Sequence, residues 1–306
     1  MAATRLLFLL SILVTLPVSG RAVERSDIVG TLGYHVTQSG EVLAELAVQH
    51  DLGYVELRAA NPGVVSWFPE IGTRLVLPKA HILPAATRRG IVVNLAEMRL
   101  YFFPPDGAPV QTYPVGIGRE AFKTPLGETQ VVNKRVNPTW VPPPSVRAEK
   151  PDLPRSVPPG PDNPLGAYSL DLGWPAYRIH GTNKPLGVGR RISHGCLRMY
   201  PWDVEALFPR VPVGTPVTVV DQPFKVGWLY GELYLEVHPS QRQADDVEIT
   251  GNLRPEPLDG LIEAVRVAAG RGANQVDWSL VRLVAAERRG YPIRITTLAA
   301  SPGMDW

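Results

Sequence analysis

Residues 180–199 read HGTNKPLGVGRRISHGCLRM and hold two of the six histidines and the sole cysteine of the 306-residue chain. The stretch opens at the end of a strand-like run, Tyr177 to His180. A lone cysteine is most often a small buried hydrophobe. Three local features favour a nucleophile instead. Gly195 directly precedes the sulfur-bearing residue. Arg190, Arg191 and Arg198 flank it with positive charge, which lowers a thiol pKa. His180 lies sixteen positions upstream.

Two other chemistries fit these residue types less well. His180, His194 and Cys196 form a three-ligand zinc set, but no second cysteine is present and the paired spacing of structural zinc sites is missing. Papain-like chemistry lacks its flanking pattern, and no histidine lies more than 42 positions beyond Cys196. The residues alone leave the base open. His194 is nearer in sequence, yet two residues along an extended chain sit about 7 Å apart on one face. That is too far for a direct bond unless the chain turns at Gly195.

The start of the chain predicts an export segment over residues 1–22. Arg5 supplies the positive region, Leu6 to Val18 is largely apolar, and Ser19-Gly20-Arg21-Ala22 offers a small-residue cleavage site after Ala22. Its removal takes two arginines, bringing 31 basic residues to 29 against 29 acidic ones. The mature chain is then near neutral, with no basic-aromatic stripe to suggest a nucleic-acid partner. A single cysteine excludes an intramolecular disulfide. Left in an oxidising compartment it is prone to sulfenic acid, which makes a periplasmic thiol reductase an expected partner. No metal or organic cofactor is expected.

With 32 prolines and 28 glycines, the composition favours short strands and many turns. Residues 33–79 predict a βααβ unit: a strand around Tyr34–Val36, a helix with Val42, Leu43, Leu46 and Ala47 on one face, a helix over Val55–Ala60 and a strand over Thr73–Leu77. Residues 90–221 predict a strand-rich domain, with a hairpin in IVVNLAEMRLYFF and further strands in PVQTYPVGIG, GETQVVNKRV, YRIH and TPVTVV. Residues 138–164 hold ten prolines in 27 positions and predict no regular element. Residues 222–306 predict an α-rich accessory region, with one helix around Leu258–Val265, another behind an Asp277 N-cap, and a strand in PIRITTL.

The signature resembles that of L,D-transpeptidases with the YkuD catalytic domain: an upstream histidine, then Ser193-His194-Gly195-Cys196-Leu197-Arg198. The resemblance extends through PVGIGREAFKTPLGETQVV and PPGPDNPLGAYSLDL to VPVGTPVTVV. Residues 33–79, with ELRAANP and GTRLVLP, resemble a LysM glycan-binding module, although its usual GDTL stands here as GEVL. The combination resembles the ErfK/YbiS/YcfS/YnhG subgroup. This implies a mainly β fold with a β-sandwich-like catalytic domain and a periplasmic location. It also implies roles: Cys196 as nucleophile, His180 as base oriented by the Gly181 carbonyl, backbone N–H groups around His194, Gly195 and Cys196 as the oxyanion site with Ser193 among the orienting residues, and Arg198 as a holder of anionic substrate. The implied substrates are peptidoglycan stem peptides and glycan strands. The implied acceptors are a diaminopimelate amine, the C-terminal lysine of an outer-membrane lipoprotein, or water. The competing class is a wall-binding protein without catalysis.

Overall fold

The structure, a computed structural model, describes residues 26–297. The predicted export segment lies outside those residues. No helix among them is long and apolar enough to cross a membrane.

The strand-rich region forms an eight-stranded mixed sheet. Its order is Leu197–Arg198, Arg178–His180, Tyr168–Leu172, Gly127–Val136, Pro216–Val220, Gly90–Asn94, Arg99–Phe103 and Gln111–Pro114. The predicted hairpin is present, with Gly90 paired to Phe103 and Asn94 to Arg99. Arg99–Phe103 is buried along its whole length, which explains its continuous apolar run. Two pairings are parallel, and one of them sets Arg178–His180 beside Leu197–Arg198 at the sheet edge. A separate parallel pair joins Ile117–Gly118 to Arg191–Ser193 and so fixes the approach to Cys196.

Residues 33–79 contain the expected βααβ order: Gly33–Val36, Leu43–Gln49, Tyr54–Ala60 and Arg74–Leu77, with the two strands antiparallel. They do not form a separate bead. Leu43, Leu46, Leu57 and Leu75 belong to one apolar core with Ile91, Leu100, Leu197 and Val204 of the strand-rich region, and with Ala244 and Val247 of the C-terminal region. The backbones meet at Gly53 and Gly189. Gly189 has φ +69°, and a Cβ there would lie 2.1 Å from the Gly53 Cα, so only glycine fits.

Two expectations need correction. The proline-rich excursion does hold a helix, Pro144–Glu149. Pro143 stands extended before it and Pro144 begins it, where a missing N–H costs nothing and the fixed φ suits the first turn. The excursion is tied shut by backbone bonds between Trp140 and Val157 and by the Asn163 side chain, which donates to the Pro138 carbonyl at 2.7 Å. The C-terminal region is α-rich as expected but holds more strand than predicted. Beside helices Gln241–Thr250, Leu261–Ala269 and Trp278–Glu287, it carries a hairpin, Phe224–Leu229 with Glu232–Val237, and a third strand at Ile293–Arg294. The signal was a two-residue turn: Tyr230 and Gly231 both have positive φ, 49° and 79°. The Asp277 cap is present, accepting from Ser279 N and Leu280 N.

The three regions meet at buried charges. Arg99 donates to both oxygens of Glu56, at 2.6 and 2.7 Å. Lys225 lies 2.8 Å from Glu97 and 2.9 Å from Glu236, and donates to the Ile82 carbonyl at 2.5 Å. His238 lies 2.6 Å from Glu236. Burial works against ionising Glu236, but the charge of Lys225 and the hydrogen bond from His238 hold its carboxyl well below the usual range.

Removing one partner of such a pair strands the other. We expect Arg99→Met to destabilise the protein by about 3–5 kcal/mol in chemical denaturation, and Arg99→Met with Glu56→Leu to cost clearly less. Equal losses in the single and double variants would contradict this account.

Candidate active site

Ile179 and Leu197 are 0% and 1% exposed and point into the core. Their neighbours Arg178, His180, Cys196 and Arg198 therefore share the opposite face of the two edge strands. The register sets Ile179 against Leu197 and His180 against Arg198, and the Arg178 backbone N–H and charge reach the Cys196 thiol, which directly precedes this pairing. Cys196 and His180 are thus diagonal neighbours.

His180 is 4% exposed, and its Nδ1 lies 2.6 Å from the Gly181 carbonyl. That carbonyl can only accept, so Nδ1 carries the proton and Nε2 is left as the proton acceptor. Burial, and then the charge of Arg198, lower the imidazole pKa to about 3. His180 is neutral at physiological pH.

The Cys196 thiol is partly buried and points to the Ala176 carbonyl at 3.5 Å. Its positive neighbours are Arg178 and Arg198. Arg190 and Arg191 do not supply the predicted field. Arg190 pairs with Glu248 at 2.6 Å and stacks on Tyr54, and Arg191 bonds Asp245 and Glu120. Burial outweighs the two remaining arginines and the Arg178 backbone N–H, so the thiol pKa is raised, not lowered as the sequence suggested.

The turn that presents the sulfur is braced from several sides. Gly195 has φ +100°, and a Cβ there would lie 2.6 Å from Tyr177 Cε1. Ser193 Oγ donates to the Cys196 carbonyl at 2.7 Å and accepts the Gly195 N–H at 3.1 Å. Thr124 Oγ1 donates to the Gly195 carbonyl at 2.9 Å and accepts the Gly118 N–H at 3.1 Å. The Gly195 N–H is therefore already used. The N–H groups of His194 and Cys196 have no hydrogen-bond acceptor among the described residues, which leaves them able to face an oxyanion.

His194 turns elsewhere. It stacks on Phe122 at 4.2 Å between ring centres, its Nε2 lies 3.2 Å from Arg119 and 3.3 Å from Glu149, and its Nδ1 lies 3.2 Å from Ser145 Oγ. It ties the proline-rich excursion to the rim of the site, and burial, followed by the Arg119 charge, lowers its pKa although Glu149 opposes the shift. The Arg198 side chain makes no hydrogen bond or ion pair among the described residues, and its Nε is buried without a partner. Thr124, Tyr177 and Arg178 belong to the site without having been singled out as site residues. Arg178 was legible in principle, two positions before His180 on a strand, where side chains alternate.

One face of the site thus gathers a thiol, a neutral imidazole with a fixed tautomer, two N–H groups without an acceptor and a guanidinium without a partner among the described residues. Residues 88–219 match the family model of the L,D-transpeptidase catalytic domain, YkuD. The chain is 37% identical over 295 residues to the probable L,D-transpeptidase ErfK/SrfK of Escherichia coli K12, covering 94% of this chain and 92% of that protein. It is 36% identical to the probable L,D-transpeptidase YcfS of the same organism, covering 90% and 88%, and 38% identical to its probable L,D-transpeptidase YbiS, covering 83% of each. The chain belongs to the YkuD-domain L,D-transpeptidase family and is an enzyme of that class.

With its thiol pKa raised and its imidazole pKa lowered, the free protein holds a neutral pair at neutral pH. Iodoacetamide inactivation should accelerate as pH rises through and beyond the ordinary thiol range of about 8.5, with no thiolate plateau near pH 6. A plateau there would show a preformed ion pair.

Proposed function

We propose that this protein is a periplasmic peptidoglycan L,D-transpeptidase with Cys196 as nucleophile and His180 as general base. The single observation that carries the assignment is the His180–Gly181 hydrogen bond, which leaves Nε2 as acceptor on the face that carries Cys196.

The donor is a stem tetrapeptide, cut between the L-centre of meso-diaminopimelate at position three and D-Ala at position four. Neither the thiolate nor the imidazolium is stable alone in this buried setting. The proton therefore moves from sulfur to His180 Nε2 as the S–C bond forms and the carbonyl oxygen takes the charge. The N–H groups of Cys196 and His194 receive that oxyanion. Collapse breaks the C–N bond, His180 returns the proton to the departing D-Ala amine, and a thioester remains. An acceptor amine then attacks the thioester, gives its proton to His180, and the sulfur leaves and is reprotonated. The acceptor is a second diaminopimelate, giving a 3–3 cross-link, or a lipoprotein C-terminal lysine. Water in that place gives carboxypeptidase activity. Residues 33–79 are proposed to hold the glycan strand, as a LysM module does. Their shared core with the catalytic region favours a fixed geometry between glycan and thiol over a tethered one.

Cys196→Ala should abolish transfer from a purified tetrapeptide donor while leaving the thermal transition intact. His180→Ala should slow acylation by about 10²–10⁴-fold, and His194→Ala by much less. Mass spectrometry of the muropeptide products identifies the acceptor. Transfer persisting in the Cys196→Ala protein, or a larger loss with His194→Ala on a folded protein, would refute these roles.

A further inference from the structure

Arg178 lies two positions before His180 on the same strand, hence on the same face, and close enough to Cys196 for its charge to act on the thiol. Its Nε donates to Asp171 Oδ1 at 2.7 Å. Asp171 also accepts from Arg135 Nε at 2.7 Å and Asn133 Nδ2 at 3.1 Å, both through Oδ2. Asp171 is thus gripped from two neighbouring strands and in turn fixes the direction of Arg178. The grip uses only Nε. Both terminal nitrogens of Arg178 are without a hydrogen bond among the described residues, and the side chain is 30% exposed. A guanidinium held from behind, with its outer nitrogens open, is set to receive a planar anion.

Holding Arg178 for the sulfur alone does not account for this arrangement. Asp171 sits close enough to raise the thiol pKa, opposing what Arg178 does. A pair built only to activate the thiol would omit the carboxylate. A pair built to aim the guanidinium needs it.

We propose that Arg178, aimed by Asp171, binds a carboxylate of the donor stem peptide beside the scissile bond and so selects anionic donors. Arg178 touches substrate; Asp171 is a positioning residue. The assignment rests on the stem-peptide reading above, because that donor carries carboxylates at its leaving D-Ala, at the D-centre of diaminopimelate and on D-isoglutamate.

The test uses the full chain and four synthetic tetrapeptides: one with all carboxylates free, and three with one of them amidated. Turnover is measured with Cys196 intact, and binding by calorimetry in the Cys196→Ala protein. Arg178→Ala should raise KM and Kd for the free donor by about tenfold with kcat changed by no more than about twofold. Asp171→Ala should do the same, and Asp171→Asn, which keeps the Oδ1 acceptor, should recover most of the affinity. One amidated donor should bind wild-type and Arg178→Ala proteins equally, and this names the carboxylate. A KM unchanged in Arg178→Ala, or raised alike for all four donors, overturns the proposal while leaving the transpeptidase reading in place. Carboxylate-dependent binding without turnover upholds Arg178 and counts against that reading instead. Neither binding nor turnover overturns both.

Discussion

Charges buried between three segments of the chain hold this molecule in one shape. Glu56 comes from the N-terminal βααβ unit, Glu97 and Arg99 from the first catalytic hairpin, and Lys225, Glu236 and His238 from the C-terminal hairpin. None of these groups tolerates an apolar interior unpaired. Arg99 finds Glu56 and Lys225 finds Glu97 across segment boundaries, so these ions are paired only where the segments meet. Ile82 N, donating to Glu236, makes a further bond across them.

That frame reaches the chemistry through the flanks of the signature. Upstream, Gly189 packs on Gly53, Arg190 lies on the Tyr54 ring, and Arg191 is held by Asp245 of the C-terminal helix. Downstream, Tyr200 OH donates to the Leu52 carbonyl at 2.8 Å and Trp202 Nε1 to Asp51 at 2.6 Å. Between the two clamps the chain turns at Gly195 under Tyr177, with Ser193 and Thr124 fixing its peptide groups. Cys196 is thus a residue on a short turn whose flanks are held by elements as distant in the chain as residues 51–54 and Asp245. Such placement of reacting groups before substrate arrives is a large part of what an active site contributes.

The electrostatics of the site depend on the same packing. Counting charges near Cys196 in sequence gives three arginines and an activated thiolate. In space, Arg190 and Arg191 are spent on Glu248, Asp245 and Glu120, while Arg178 arrives from a neighbouring strand. Burial then dominates for both Cys196 and His180, and the resting site is neutral. In the mechanism proposed above, a neutral resting pair suits a reaction whose charge appears only with the oxyanion.

The sequence by itself determined the class of chemistry, the nucleophile and base as expectations, the βααβ unit and most strands of the catalytic sheet. Those features are local: the period of apolar residues, the placement of glycine and proline, and a signature within twenty positions. Even the helix at Pro144–Glu149 and the hairpin turn at Tyr230-Gly231 were written locally, in a proline at a helix start and a turn pair that outweighed by its neighbours went unread. The tertiary structure alone decided that the N-terminal unit shares the catalytic core, that the Gly195 N–H is taken by Ser193, that His194 faces Glu149 and Ser145, and that Arg178, held by Asp171, stands beside the sulfur. Burial and charge depend on which distant residues meet, and which strands far apart in the chain become neighbours is not written in the local spacing of either one.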